Sequence, residues 1–242
     1  MLFRKKEGGF VDISSISFSV YLAVIPSILL CIYVYRMDVI EKEPIYLLLI
    51  LFFIGVLATV PATFFEKMLM SFTGLKYTNL YDCFLLAFCV IALVEEGYKF
   101  LVLFISCWNN KEFNYRYDAI VYSVFISLGF AALENILYVQ NSGFTIALWR
   151  GVISVPAHAF YAIASGFFLG LAKEKSVSDK KGKTALFIFL ALLVPILLHG
   201  LFDFLLLTEN DILIGVFFSF VAVLYFVSYY EIKKTHKENI KI

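Results

Sequence analysis

The chain has 242 residues, 62% of them hydrophobic and only 16% charged, and its 20 basic against 19 acidic residues leave a net charge of +1. Its mean hydropathy is +0.88. A soluble domain carries roughly 45–50% apolar and about 25% charged residues, so this composition excludes an ordinary soluble globule, a disordered chain and a nucleic-acid binder with a basic surface. It predicts an all-α, polytopic transmembrane bundle forming a single domain over residues 1–242, with no soluble domain.

A membrane-crossing helix needs about 20 mainly apolar residues. Seven runs qualify in chain order: 16–35, 45–65, 83–108, 119–139, 144–172, 185–207 and 212–230. The connections are short, and the longest polar stretch, 173–183, reads as a basic cytoplasmic loop in contact with anionic lipid. Arg4, Lys5 and Lys6 are followed by Gly8, Gly9 and Asp12 with no small-residue cleavage site, so no cleavable signal is expected. Cys31, Cys83, Cys89 and Cys107 lie in or beside apolar runs without any CxxC, and read as buried small apolar side chains.

Lys and Arg in the connections set the orientation. One side would hold Arg36, Lys42, Lys111, Arg116, the five lysines of 173–183, and Lys233, Lys234, Lys237 and Lys241; the other would hold Arg4, Lys5, Lys6, Lys67 and Lys76. This predicts a cytoplasmic C-terminus and an outer N-terminus, with the basic N-terminal segment as the opposing signal.

Ionisable residues well inside the runs carry the functional information. They are Glu95, Glu96 and Lys99 in the third run, Glu134 in the fourth, His158 in the fifth, and His199 and Asp203 in the sixth, with Arg150 near the start of the fifth. A charge at the bilayer centre costs at least about 2.5–3.5 kcal/mol on insertion scales, and such residues face one another or a wet cavity. At 1.5 Å per residue, Glu95 and His158 fall near the midplane, and Glu134 and His199 reach a similar level somewhat toward the outer side. Lys99 is i+4 from Glu95 and i+3 from Glu96, so it reaches either but cannot neutralise both; the carboxylate left over is a candidate general base or acid. His199 and Asp203 are i, i+4 and share a face. Pro156 and Pro195, just ahead of the two histidines, each remove a helical N–H. Ala162, Gly166 and Gly170 make a small-residue ridge for close helix packing. Asn135 and Tyr138 flank Glu134 as polar partners.

The pattern Glu95-Glu96-x-x-Lys99, Phe130-x-x-x-Glu134-Asn135, His158, His199-x-x-x-Asp203 resembles the PrsW family of bacterial intramembrane proteases, relatives of the CAAX-type glutamate intramembrane proteases. Tyr35-Arg-Met-Asp38 and Glu41-Lys-Glu43-Pro44 also look like the family's first loop, so the likeness covers about residues 33–204. The resemblance implies a multi-pass protease of the bacterial cell membrane. It would make the first, site-1, cut in a single-span anti-sigma factor and so release a stress-response sigma factor. It also implies that Glu95 or Glu96 activates water, that His158 and His199 orient the water or stabilise the oxyanion, and that Lys99, Glu134, Asn135 and Asp203 support them. Catalysis without a metal is the favoured form. A zinc ion on His158, His199 and Glu95 or Glu96 is the alternative, and the absence of HExxH leaves the usual metalloprotease helix out.

Plainer readings stand beside these. Glu95, Glu96 and Lys99 could form an internal salt bridge, and His158 an interhelical hydrogen bond. Glu134 and Asn135 could simply share a polar network. Arg150 reads as an interface anchor. The tyrosine–aspartate pairs at 81–82 and 117–118 fall at helix starts, and 163–166 lacks the first glycine of GxSG, so aspartyl and serine intramembrane classes fit worse. An ion- or proton-coupled transporter and a catalytically silent scaffold are the other function classes; no inverted repeat supports transport.

Overall fold

The computed structural model describes residues 13–38, 40–142, 144–208, 210–237 and 240–242. Among them the elements are α1 (Ile13–Met37), α2 (Ile45–Thr73), α3 (Leu80–Leu85), α4 (Leu93–Cys107), α5 (Arg116–Ser142), α6 (Phe144–Trp149), α7 (Val155–Val177), α8 (Lys181–Leu207) and α9 (Asp211–Lys237). One π-helical turn, Leu86–Ala92, joins α3 to α4, and a second, Arg150–Ser154, joins α6 to α7. The nine segments therefore make seven continuous rods, matching the seven apolar runs. Five rods are long and apolar enough to cross a membrane by length and composition. The protein is thus an all-α, multi-pass bundle. The only pairing of extended chain among the described residues is a single antiparallel bridge between Tyr115 and Lys241.

Local chemistry places the rod ends. Gly74, at φ 66°, ends α2 in the left-handed region and donates its N–H to the Met70 carbonyl. The Asn79 side chain then caps α3 by accepting the Asp82 N–H at 2.9 Å. Asp118 accepts the N–H groups of Asn114 at 2.9 Å and Tyr115 at 2.6 Å, tying the entry of α5. The polar stretch 173–183 is mostly helix rather than loop: α7 runs to Val177, α8 starts at Lys181, and the turn between them is three residues. Lys173 is drawn in, its Nζ donating to the Trp108 carbonyl at 2.6 Å, while Lys180, Lys181 and Lys183 stay exposed.

α5 is the central rod. Its apolar window is 78% buried, against 22% for α9 at the rim. Glycine lets its neighbours approach: a Cβ on Gly129 would run into the Phe52 carbonyl of α2, and one on Gly55 into the Ile126 carbonyl of α5. On the other side, a Cβ on Gly166 would meet the Ala119 carbonyl at 2.5 Å and one on Gly170 the Arg116 carbonyl at 2.7 Å. The small-residue ridge of α7 is therefore a packing seam against α5. Three cysteines are buried as expected, but Cys89, within the first π-helical turn, is exposed.

Candidate active site

Four rods bring the charged residues to one place. α4 supplies Glu95, Glu96 and Lys99, all buried. α5 supplies Glu134 and the fully buried Asn135, α7 supplies His158, and α8 supplies His199 and Asp203. All eight residues singled out in the sequence meet in this cluster. Each π-helical turn ends within a few residues of a site residue, Leu86–Ala92 ahead of Glu95 and Arg150–Ser154 ahead of His158. A π turn inserts an extra residue and re-phases everything after it, and such turns recur at functional sites.

Lys99 is the hub. Its ammonium lies 3.0 Å from Glu95 Oε2, 2.8 Å from Glu96 Oε1 and 3.1 Å from His158 Nδ1, and 4.3 Å over the Phe130 ring. An ammonium only donates, so His158 Nδ1 accepts. His158 Nε2 then carries the proton and faces Glu134 Oε2 at 3.0 Å. His199 is arranged differently: Nδ1 lies 2.8 Å from Glu96 Oε1 and Nε2 lies 3.3 Å from Asp203 Oδ2. Both of its nitrogens face carboxylates. Four carboxylates (Glu95, Glu96, Glu134, Asp203) thus meet two cations (Lys99, Arg150) and two imidazoles (His158, His199), which offset much of the charge taken out of water.

Arg150 corrects the sequence reading. It is no interface anchor. Its Nη2 donates to Glu134 Oε1 and its Nε to Asn135 Oδ1, both at 2.7 Å, with the guanidinium 4.0 Å over the Tyr138 ring. The signal, set aside because it lies near a run end, is an arginine inside an apolar run, eight residues ahead of His158. Eight α-helical residues would leave the two about 80° apart; the intervening π turn changes that phase. Tyr161 was also missed. Its ring stacks on His199 at 4.9 Å between centroids, and its buried hydroxyl finds no hydrogen-bond partner among the described residues.

The donors suit a metal ion. Glu95, Glu96 and His199 offer ligand atoms within 4.8 Å of one another, and Glu95, Glu134 and His158 form a second such set. Imidazole and carboxylate are the donor chemistry of zinc and its neighbours. Glu95 belongs to both sets, and the Lys99 ammonium is the cation that Glu95 and Glu96 face in the structure.

A buried constellation of carboxylates, imidazoles and an ammonium, midway along membrane-length helices, defines a membrane-embedded hydrolase. The model of the family described as "PrsW family intramembrane metalloprotease" matches residues 43–230, and the chain belongs to that family. It is 33% identical over 225 residues to "Protease PrsW" of Clostridioides difficile strain 630, covering 91% of this chain and 92% of the relative. It is 35% identical over 217 residues to "Protease PrsW" of Oceanobacillus iheyensis, covering 90% and 95%. The Bacillus subtilis strain 168 protein of the same name is 36% identical over 183 residues, covering 76% and 80%. No solved structure matches. The protein is accordingly an intramembrane peptide hydrolase. The family's description puts a metal in keeping with the site; the sequence spacing decided neither way, and metal-free catalysis was only the favoured form.

Proposed function

We propose that the chain makes the first cut in a single-span, membrane-anchored anti-sigma factor, on the outer side of the membrane, and so starts release of a stress-response sigma factor. The observation that carries this reading is the convergence of the Glu95–Glu96–Lys99 hub with His158 and His199 from three packed rods. Membership of the family supports peptide hydrolysis, and the resemblance to its motifs supports the substrate class. The charge count of the connections supports an outer location for the end of α8 nearest the site.

Within the cluster, Glu96 Oε1 is bound by both Lys99 and His199, whereas the contact of His199 with Glu95 Oε2 is 4.0 Å. Glu95 is therefore the less committed carboxylate and takes the proton from the attacking water. His199, held by Asp203 at Nε2, presents Nδ1 at the hub beside Glu96 and becomes the donor for the developing oxyanion when a substrate carbonyl takes the place of Glu96. His158, fixed between Lys99 and Glu134, positions the hub. A metal ion on Glu95, Glu96 and His199 would polarise the scissile carbonyl and acidify water. A low-dielectric, water-poor surrounding strengthens each of these interactions.

The test compares cells carrying the native chain with cells carrying Glu95→Gln plus Glu96→Gln at equal expression, under envelope stress. New N-termini on membrane proteins are read by terminal-labelling mass spectrometry. A cut outside the span of a single-span regulator, present only with the native chain, is expected. Identical termini in both populations across several stresses would remove the proteolytic reading of this substrate.

A further inference from the structure

The four site-bearing rods do not close completely beneath the cluster. On the side facing the helix ends at residues 107, 116, 177 and 181, a cavity leaves about 10 Å³ for the centre of a water molecule, room for one. Glu96 and Lys99 form its roof, and Ser123, Ser127 and Ser165 stand in its walls. These serines are nearly fully buried among apolar neighbours. The Ser127 hydroxyl is spent on the His158 carbonyl at 2.9 Å. Ser123 is i−4 from Ser127 and shares its face of α5, and Ser165 comes across from α7.

Pro195 and Ala191 of α8 also line this cavity. Proline has no N–H, so Pro195 cannot donate to the carbonyl four residues earlier, which is that of Ala191. Inside a membrane protein such a freed carbonyl is tolerated where a neighbour or a wet cavity satisfies it. The cavity therefore collects two serine hydroxyls, a proline-freed carbonyl and the edge of an ion-paired carboxylate. A buried water takes two to four polar partners, and these are enough.

We propose that this cavity is a binding site for a single water molecule, and that it holds the replacement for the hydrolytic water directly beneath the hub. The supply role rests on the proteolytic reading above. Each turnover adds one water across a peptide bond: its hydroxyl goes to the acyl carbon, the C–N bond breaks, and its remaining proton ends on the amine nitrogen. A peptide seated over the cluster covers its outer face, so the replacement water enters from beneath. Water leaving the cavity meets Glu96 and Lys99 first, and the Lys99 ammonium touches both glutamates.

The experiment has a structural arm and a kinetic arm. A high-resolution map of the native protein in lipid should show one ordered water between Ser123, Ser165 and the Ala191 carbonyl. Ser123→Val and Ser165→Val, which fill the space with methyl groups, should show none. In proteoliposomes with a single-span reporter, both valine variants should lose about tenfold or more in kcat with KM unchanged, because substrate binding is untouched. Ser165→Ala, which removes one partner without filling the cavity, should lose less, and it serves if a valine variant fails to fold. A dry cavity in the native map overturns the proposal whether or not the reporter is cut. Native turnover by folded valine variants overturns the supply role. A native chain that cuts no reporter removes the supply role together with the proteolytic reading, and the map alone then decides the water site.

Discussion

Arg150 shows how much a single side chain does here. Its planar fork serves two acceptors on α5 at once and stacks on a third residue, which an ammonium cannot reproduce. Removing one partner of a buried ion pair costs about 3–5 kcal/mol because the other charge is left unpaired. Arg150→Gln should therefore lower stability by about that much, and Arg150→Lys by less, as read from thermal unfolding in detergent. Both should impair reporter cleavage, since Glu134 also holds His158. A melting temperature unchanged in Arg150→Gln would return this residue to the lipid interface. Glu95, Glu96 and Lys99 were legible as a group from their spacing alone, because i+3 and i+4 neighbours meet on any helix. The partnership of Arg150 was not, because it depends on the π turn between it and His158.

The decisive contacts between elements are those of α5 with α2 and α7, where backbone lies on backbone. Gly129→Leu would force a side chain against the Phe52 carbonyl, a group that cannot swing aside. The expected result is loss of folded protein, at a cost above about 3 kcal/mol. Gly215→Ala on α9, where a new Cβ meets nothing within 4 Å, is the matched control. It should raise stability by about 0.5–1 kcal/mol through helix propensity. Equal yields of the two variants would contradict the packing seam. The α7 ridge was readable as a seam from its four-residue spacing. The Gly55–Gly129 crossing was not, since its glycines lie on different runs with no pattern linking them.

Across the whole molecule, the end carrying the basic loops holds its own buried acid. Glu43, just ahead of α2, accepts the Tyr122 hydroxyl at 2.6 Å. Burial pushes its carboxyl up to about 8, the Tyr122 bond opposes this, and the charges of Asp118, Asp38 and Glu112 add to the rise. A carboxyl raised in the folded state binds its proton more tightly there than when unfolded. It therefore favours folding below the ordinary carboxylate range, and that contribution is lost as pH climbs to about 8. Thermal stability of the native chain should fall between those limits, and Glu43→Gln should flatten the decline. An equally steep decline in Glu43→Gln would assign it to other groups.

Composition and run length alone determined the class, the seven rods and the eight residues of the polar cluster. Burial in lipid demands apolar length, and every charge kept inside it must have a reason. Helical spacing also determined which of those residues could pair along one rod. Tertiary structure decided the rest. It showed Glu96 doubly bound and Glu95 less committed, gave His158 and His199 different partners, and turned Arg150 inward. It also left a water-sized space beneath the hub. Each of these depends on the rotational phase of one rod against another. Two π turns and a few glycine crossings set that phase, and no single run of sequence encodes it.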